Sequence, residues 1–139
     1  VSLRFLLDTN VVSEPLRPAP DPGVIEKIRR HETAAALAAV VWHELVFGLS
    51  RLAPSRRRDA IEEYLDRVVA PGFPILPYDE EAADWHGRER ARLASEGRTP
   101  SFADGQIAAV AHTNGLVLVT ANRQHFEPFD GLEIEDWRS

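Results

Sequence analysis

The chain has 139 residues, of which 44 % are hydrophobic and 27 % charged, with 16 Lys and Arg against 22 Asp and Glu for a formal net charge of −6. That is the length and balance of one soluble globular domain, far from collagen-like, coiled-coil or disordered compositions. The lack of cysteine excludes a disulfide framework, a thiolate zinc site and a thiol nucleophile, and the acidic balance argues against a general nucleic-acid coat protein.

Leu3 to Leu7 is a short apolar run ending at Asp8, the pattern of a buried strand whose last residue emerges into solvent. Val1 to Leu7 holds no signal-peptide core, and the longest apolar stretch, Ala34 to Trp42, is roughly half of what a membrane-spanning helix requires. The chain is therefore expected to be cytoplasmic, without a membrane partner. Thr9-Asn10 ahead of Val11 to Glu14 predicts a capped short helix, stopped by the prolines at 15, 18, 20 and 22. Asp21-Pro22 is an N-cap with proline at the first helical position, and Val24, Ile25 and Ile28 give the stripe of a helix reaching about Arg30. Ala34 to Val40 reads as a buried strand. Trp42, Leu45, Val46 and Leu49 then recur at helical spacing, which places Glu44 in that helix's first turn.

Ile61, Tyr64, Leu65 and Val68 mark a further helix whose start carries Arg56 to Arg58, a run interleaved with Asp59, Glu62 and Glu63 and so expected to form a salt-bridged face. Ile75-Leu76 predicts a short strand. Asp79 can cap a helix through Ala82, Ala83, Trp85, His86 and Leu93 that ends near Gly97. Pro100-Ser101 opens another, with Asp104 in its first turn, Ile107, Ala108, Val110 and Ala111 toward the core and Gly115 at its end. Leu116 to Val119 is an apolar strand that delivers Thr120-Ala121-Asn122 at its carboxyl end, and Ile134 marks an edge strand. Strands alternating with helices over residues 1–139 imply a single α/β domain, a three-layer α/β/α sandwich around a mostly parallel sheet.

In open parallel sheets, ligands bind beyond the carboxyl ends of the strands. Asp8 and Asn122 both arrive there, Glu44 follows the second strand, and Asp104 begins the helix before the fourth. Taken singly, Glu44 and Asp104 suit the helix dipole and Asp8 suits an Asx turn. Together they make a set of hard oxygen donors suited to Mg²⁺ or Mn²⁺ rather than zinc. The histidines at 31, 43, 86, 112 and 125 show no metal-pair spacing, and packing beside Phe126 accounts for His125.

Leu6-Leu7-Asp8-Thr9-Asn10-Val11-Val12-Ser13-Glu14-Pro15-Leu16-Arg17 resembles the opening motif of PIN-domain ribonucleases, most of all the VapC/FitB toxins. The resemblance continues through Glu44 in Trp42 to Gly48, Asp104 in Ala103 to Ala109, and Thr120 to Phe126, and so covers nearly the whole chain. It implies a metal-dependent endoribonuclease, the toxin of a toxin–antitoxin pair, in which Asp8, Glu44 and Asp104 are catalytic and bind Mg²⁺ or Mn²⁺, with Asn122 a weaker ligand. It also implies an RNA substrate, a homodimer, a small VapB-like antitoxin whose tail covers the acidic groove, and DNA binding only through that antitoxin. Around this set, Thr9 and Asn10 are expected to shape the Asp8 loop, and Thr120 to hydrogen-bond a metal ligand or that loop, or simply to end a strand. Arg88 and Arg92, at i, i+4, and Arg123 can meet RNA phosphates or remain a solvated charged face.

Two departures from the family pattern stand out. Asn122 replaces what is often a fourth acid, which predicts a weakened second-metal site and leaves open a catalytically impaired module that acts by binding its antitoxin. Val41 stands where Ser or Thr usually caps the helix of Glu44. A phosphatase of the haloacid dehalogenase type needs a second Asp two residues after the first, where this chain has Asn10.

Overall fold

A computed structural model describes residues 2–139; Val1, the first residue of the opening run, lies outside the described residues. Five short strands, β1 (Phe5–Leu7), β2 (Ala35–Ala38), β3 (Ile75–Leu76), β4 (Val117–Val119) and β5 (Ile134–Glu135), form one sheet in the order β3-β2-β1-β4-β5. Every neighbouring pair is parallel, so the sheet expected to be mostly parallel is wholly so. β1 lies at its centre, with Phe5 opposite Ala35 on one side and Val117 on the other. Its three residues are all buried, as a central parallel strand covered on both faces requires. β2 is almost all alanine, and its small side chains let two helices, α3 (Ala39–Ser50) and α7 (Phe102–Thr113), pack on it.

The remaining helices are α1 (Thr9–Val12), α2 (Pro22–His31), α4 (Arg56–Tyr64), α5 (Ala70–Gly72), α6 (Glu80–Ser95) and α8 (Arg123–Phe126). Five of the helix starts carry side-chain caps, from Asp8, Asp21, Ser55, Asp79 and Ser101, each accepting a backbone N–H that the helix leaves free. The chain moves outward from β1 to β2 and β3, then crosses back to β4 and β5 on the far side. The reversal opens a crevice beyond the carboxyl ends of β1 and β4, and the Asp8 N–H, donating to the Val119 carbonyl at 2.9 Å, joins the two strands up to its edge.

Four local expectations change. The strand expected to run to Val40 ends at Ala38, where its pairing with β3 ends at Leu76, and the helix-favouring alanine at 39 begins α3 at once. Val41 is therefore not at the cap but buried inside α3; the N-cap is Ala38, without a side-chain bond, and Glu44 falls in the second turn rather than the first. A π-helical turn over Leu65–Val69 follows α4, and its wider winding turns Val68 outward, 48 % exposed, while Val69 is fully buried. Among the described residues Arg56, Arg57 and Arg58 make no ion pair: the Arg58 guanidinium donates to the Leu52 carbonyl, beyond the end of α3, at 2.7 Å, and Glu63 pairs with Arg67. No helix among the described residues is long and apolar enough to cross a membrane.

Candidate active site beyond β1 and β4

Asp8 leaves β1 and caps α1, and only 7 % of it is exposed. Its Oδ1 accepts the Thr9 N–H at 2.8 Å, and its Oδ2 accepts the Thr120 hydroxyl at 2.8 Å and, more weakly, the Asn10 amide at 3.4 Å. The neighbours are bonded in turn. Thr120 Oγ1 accepts the Asn122 N–H at 3.0 Å, and Asn10 Oδ1 accepts the Ala121 N–H at 3.1 Å. The loops that follow β1 and β4 are thus one hydrogen-bonded unit, built from the short polar side chains that the two strand ends carry. Thr9 extends it to α3 by donating its hydroxyl to Glu44 Oε1 at 2.9 Å.

Asp104 comes from the other direction, in the first turn of α7, where the Ser101 hydroxyl oxygen caps its N–H at 3.1 Å. Its Oδ2 lies 3.8 Å from Nδ1 of His125 on α8. Both residues line a shallow cleft of about 310 Å³ together with Arg98, Ser101 and Gln124. Asn122 is exposed at the start of α8 and makes no capping bond with its side chain.

Electrostatics ties Asp8 to the other two carboxylates. Burial pushes the Asp8 carboxyl above the ordinary aspartate range, the Thr120 and Thr9 hydrogen bonds pull it back, and the negative charges of Asp104 and Glu44 push it up again. Repulsion of this kind is what a hard divalent cation relieves, and the donor set, three carboxylates and the Asn122 amide, is oxygen throughout. The chemistry of the donors suits such an ion, while among the described residues no three His, Cys, Asp or Glu side chains already stand together as a metal-holding group.

The arginines are distributed differently from the acids. Arg92 is held by Glu89 at 2.8 Å, by Glu96 at 3.2 Å and by the Pro128 carbonyl at 2.9 Å. Arg88 pairs with Asp84 and lines a separate cleft with Trp85 and His112, and Arg123 donates to the Ile134 carbonyl at 2.9 Å. Arg98, which the sequence reading passed over, borders the Asp104 cleft and pairs with Glu96 at 2.6 Å. His125 is exposed and faces Asp104, so packing beside Phe126 does not account for it; its place in a one-turn helix right after Asn122 was the available signal. Also passed over was His86, buried under the start of α7, because a histidine at a core-facing helical position reads like any packing residue.

Residues 5–131 match the PIN domain. The chain belongs to the PIN-domain family. Among its relatives, the tRNA(fMet)-specific endonuclease VapC of Shigella flexneri is 34 % identical over 136 residues, spanning 97 % of this chain and 98 % of that protein. Toxin FitB of Neisseria gonorrhoeae is 33 % identical and spans 96 % of this chain and 98 % of its own. The crystal structure of DNA-bound VapBC from Salmonella typhimurium superposes with a TM-score of 0.81 at 33 % identity, covering 97 % of this chain and 98 % of that one. In this PIN domain the matched span takes in the Asp8, Glu44, Asp104 and Asn122 positions.

Proposed function

We propose that this PIN domain is the endoribonuclease toxin of a toxin–antitoxin pair, hydrolysing RNA phosphodiester bonds at the carboxylates beyond β1 and β4. The observation that carries the reading is Asp8, buried at the switch point of the sheet and electrostatically coupled to Asp104 and Glu44. Asp8, Glu44 and Asp104 would hold Mg²⁺ or Mn²⁺, with Asn122 contributing its amide oxygen. Bound there, such a cation supplies positive charge for the scissile phosphate and acidifies water for attack. The chain's own work is placement. Thr9 and Thr120 hold the Asp8 carboxylate in one orientation, the Thr9 hydroxyl holds Glu44, and Asn10 fixes the β4 loop against the β1 loop. His125 borders the cleft as an exposed group able to meet RNA phosphate, and Arg98 beside it could do so by leaving its pair with Glu96.

RNA as substrate places the protein's work in the cytoplasm. A VapB-like antitoxin covers the acidic rim, where an inserted Arg would replace the charge of the cation, and DNA is reached through that antitoxin. The Salmonella relative, solved as DNA-bound VapBC, supports this arrangement. The name of the Shigella relative makes tRNA the first defined substrate to assay.

Purified chain free of antitoxin, incubated with total RNA and with tRNA across a titration of Mg²⁺ and Mn²⁺, tests the reading, with EDTA and Asp8→Ala as controls. Cation-dependent cuts that vanish with Asp8→Ala are expected. Folded protein that cuts at no cation concentration would favour the second reading, a module disabled by the amide at 122 that acts by binding its antitoxin.

A further inference from the structure

The first turn of α7, which carries Asp104, rests on a buried histidine. His86 of α6 is 2 % exposed, and its ring packs against Gly105, the residue after Asp104. A Cβ at 105 would overlap the His86 Nε2 and stand 2.6 Å from Cδ2, so only glycine fits. Glycine weakens a helix interior, and here the missing side chain admits the ring. On its other sides the imidazole is equally constrained. Its Nδ1 shares a 2.8 Å hydrogen bond with the Tyr78 hydroxyl, and the Phe102 ring lies 4.9 Å from its own. Tyr78 meets Phe102 edge-on at 6.3 Å, and the Arg90 guanidinium covers Phe102 at 5.4 Å. Phe102 and Gly105 flank Asp104, and both bear on His86.

We infer that His86, oriented by Tyr78 and admitted by Gly105, is a positioning residue that sets where the Asp104 carboxylate stands relative to Asp8. An apolar side chain would fill the same space without the cost of burying a polar ring. The imidazole adds a fixed orientation through the Tyr78 bond, which a purely apolar filler lacks. The inference rests on the reading of Asp104 as part of the nuclease site.

The full chain as Gly105→Ala, His86→Ala, the double variant and Tyr78→Phe tests it, with Asp104→Asn alongside. Three quantities are measured: melting by circular dichroism, Mn²⁺ affinity by calorimetry, and kcat and KM for RNA cleavage. Gly105→Ala is expected to fold, to bind Mn²⁺ about tenfold more weakly and to lose kcat on the order of 100-fold at unchanged KM, the scale of an ångström-sized misplacement. Removing the ring should relieve the overlap, so the double variant recovers to the level of His86→Ala alone. Variants that melt lower yet bind Mn²⁺ and cut RNA like the parent would show a packing role and overturn the inference. Should Gly105→Ala not fold, Tyr78→Phe decides, since it removes one hydroxyl: parental affinity and kcat in that variant overturn the inference as well. Asp104→Asn separates the two levels. If it binds Mn²⁺ and cleaves like the parent, the nuclease assignment of Asp104 falls and takes the positioning role with it; if it is inert while Gly105→Ala is fully active, only the positioning role falls.

Discussion

Asp8 opposes the fold that it serves. An aspartate whose carboxyl is raised by folding binds its proton more tightly in the native than in the unfolded chain. Well below the ordinary value of 3.8 both states are protonated and the group has no effect; as pH rises through 3.8 toward the raised native value, stability is lost, and it stays lost at neutral pH. Asp8→Asn keeps an acceptor for the Thr9 N–H, and the Thr120 hydroxyl can rotate to accept from the new amide. In EDTA at pH 7 this variant should therefore melt above the parent while cutting no RNA, and the gap should close as the pH is lowered toward 3.8. Melting curves over a pH series measure both. A variant that melts lower throughout would mean that the hydrogen bonds at Asp8 outweigh its buried charge. Asn122→Asp is the converse change. Restoring a fourth carboxylate should lower the Mn²⁺ concentration for half-maximal cleavage and lower the melting temperature in EDTA, both read from one titration with and without chelator.

At the scale of elements, the site depends on bonds that hold short pieces of chain. α1 has four residues, too few for stability of its own, and is kept in place by Asp8 at its start and by Tyr64 near its end. The Tyr64 hydroxyl, which burial pushes up to about 12, donates to the Val12 carbonyl at 2.7 Å and so links the end of α4 to α1. Tyr64→Phe leaves that carbonyl without this donor and should cost about 1 kcal/mol in urea unfolding. Cleavage should persist, because the Asp8 bonds are untouched. The chain's other end is tied down in the same way. Trp137 is buried, 5.1 Å edge-on from Phe5 of β1, and the Ser139 N–H donates to Asp21 at the start of α2, where a Cβ on Gly23 would stand 2.7 Å from the Ser139 hydroxyl oxygen.

For the whole molecule, α3 carries two faces with different tasks. Glu44 belongs to the acidic rim, while Val46 and Phe47, 38 % and 58 % exposed, present an apolar patch to water. A patch of this kind in a chain of net charge −6 is costly to leave open, and a second copy of the chain would cover it with an identical apolar surface rather than with charge. Phe47→Glu should therefore sediment as a monomer, with its melting temperature at low protein concentration unchanged, while the parent sediments as a dimer. A parent that is monomeric at every concentration would assign the patch to another partner.

Much of this protein could be read from residue order because its signals are local. The apolar run to Asp8, Asp21-Pro22, Asp79, Ser101 and the strand that delivers Thr120 each act over a few neighbouring residues, and the alternation of strand and helix then leaves few arrangements besides a parallel sheet. That Asp104 and Glu44 lie near enough to Asp8 to act on its charge also follows from that order, since strand ends and the starts of the following helices share one side of a parallel sheet. Where local signals balance, packing decided: alanine suits both strand and helix, so the end of β2 was set by the last partner on β3, and the buried face after α4 was set by a π-helical turn. Long side chains were decided last and only in three dimensions. Arg92 was captured by Glu89, Glu96 and a carbonyl of a distant segment, and the Arg56 to Arg58 run makes no ion pair among the described residues, Arg58 turning to the Leu52 carbonyl. His86 against Gly105 is the limiting case: residues 19 positions apart meet only because α6 folds back on α7, and neither residue type signals the contact until the two helices touch.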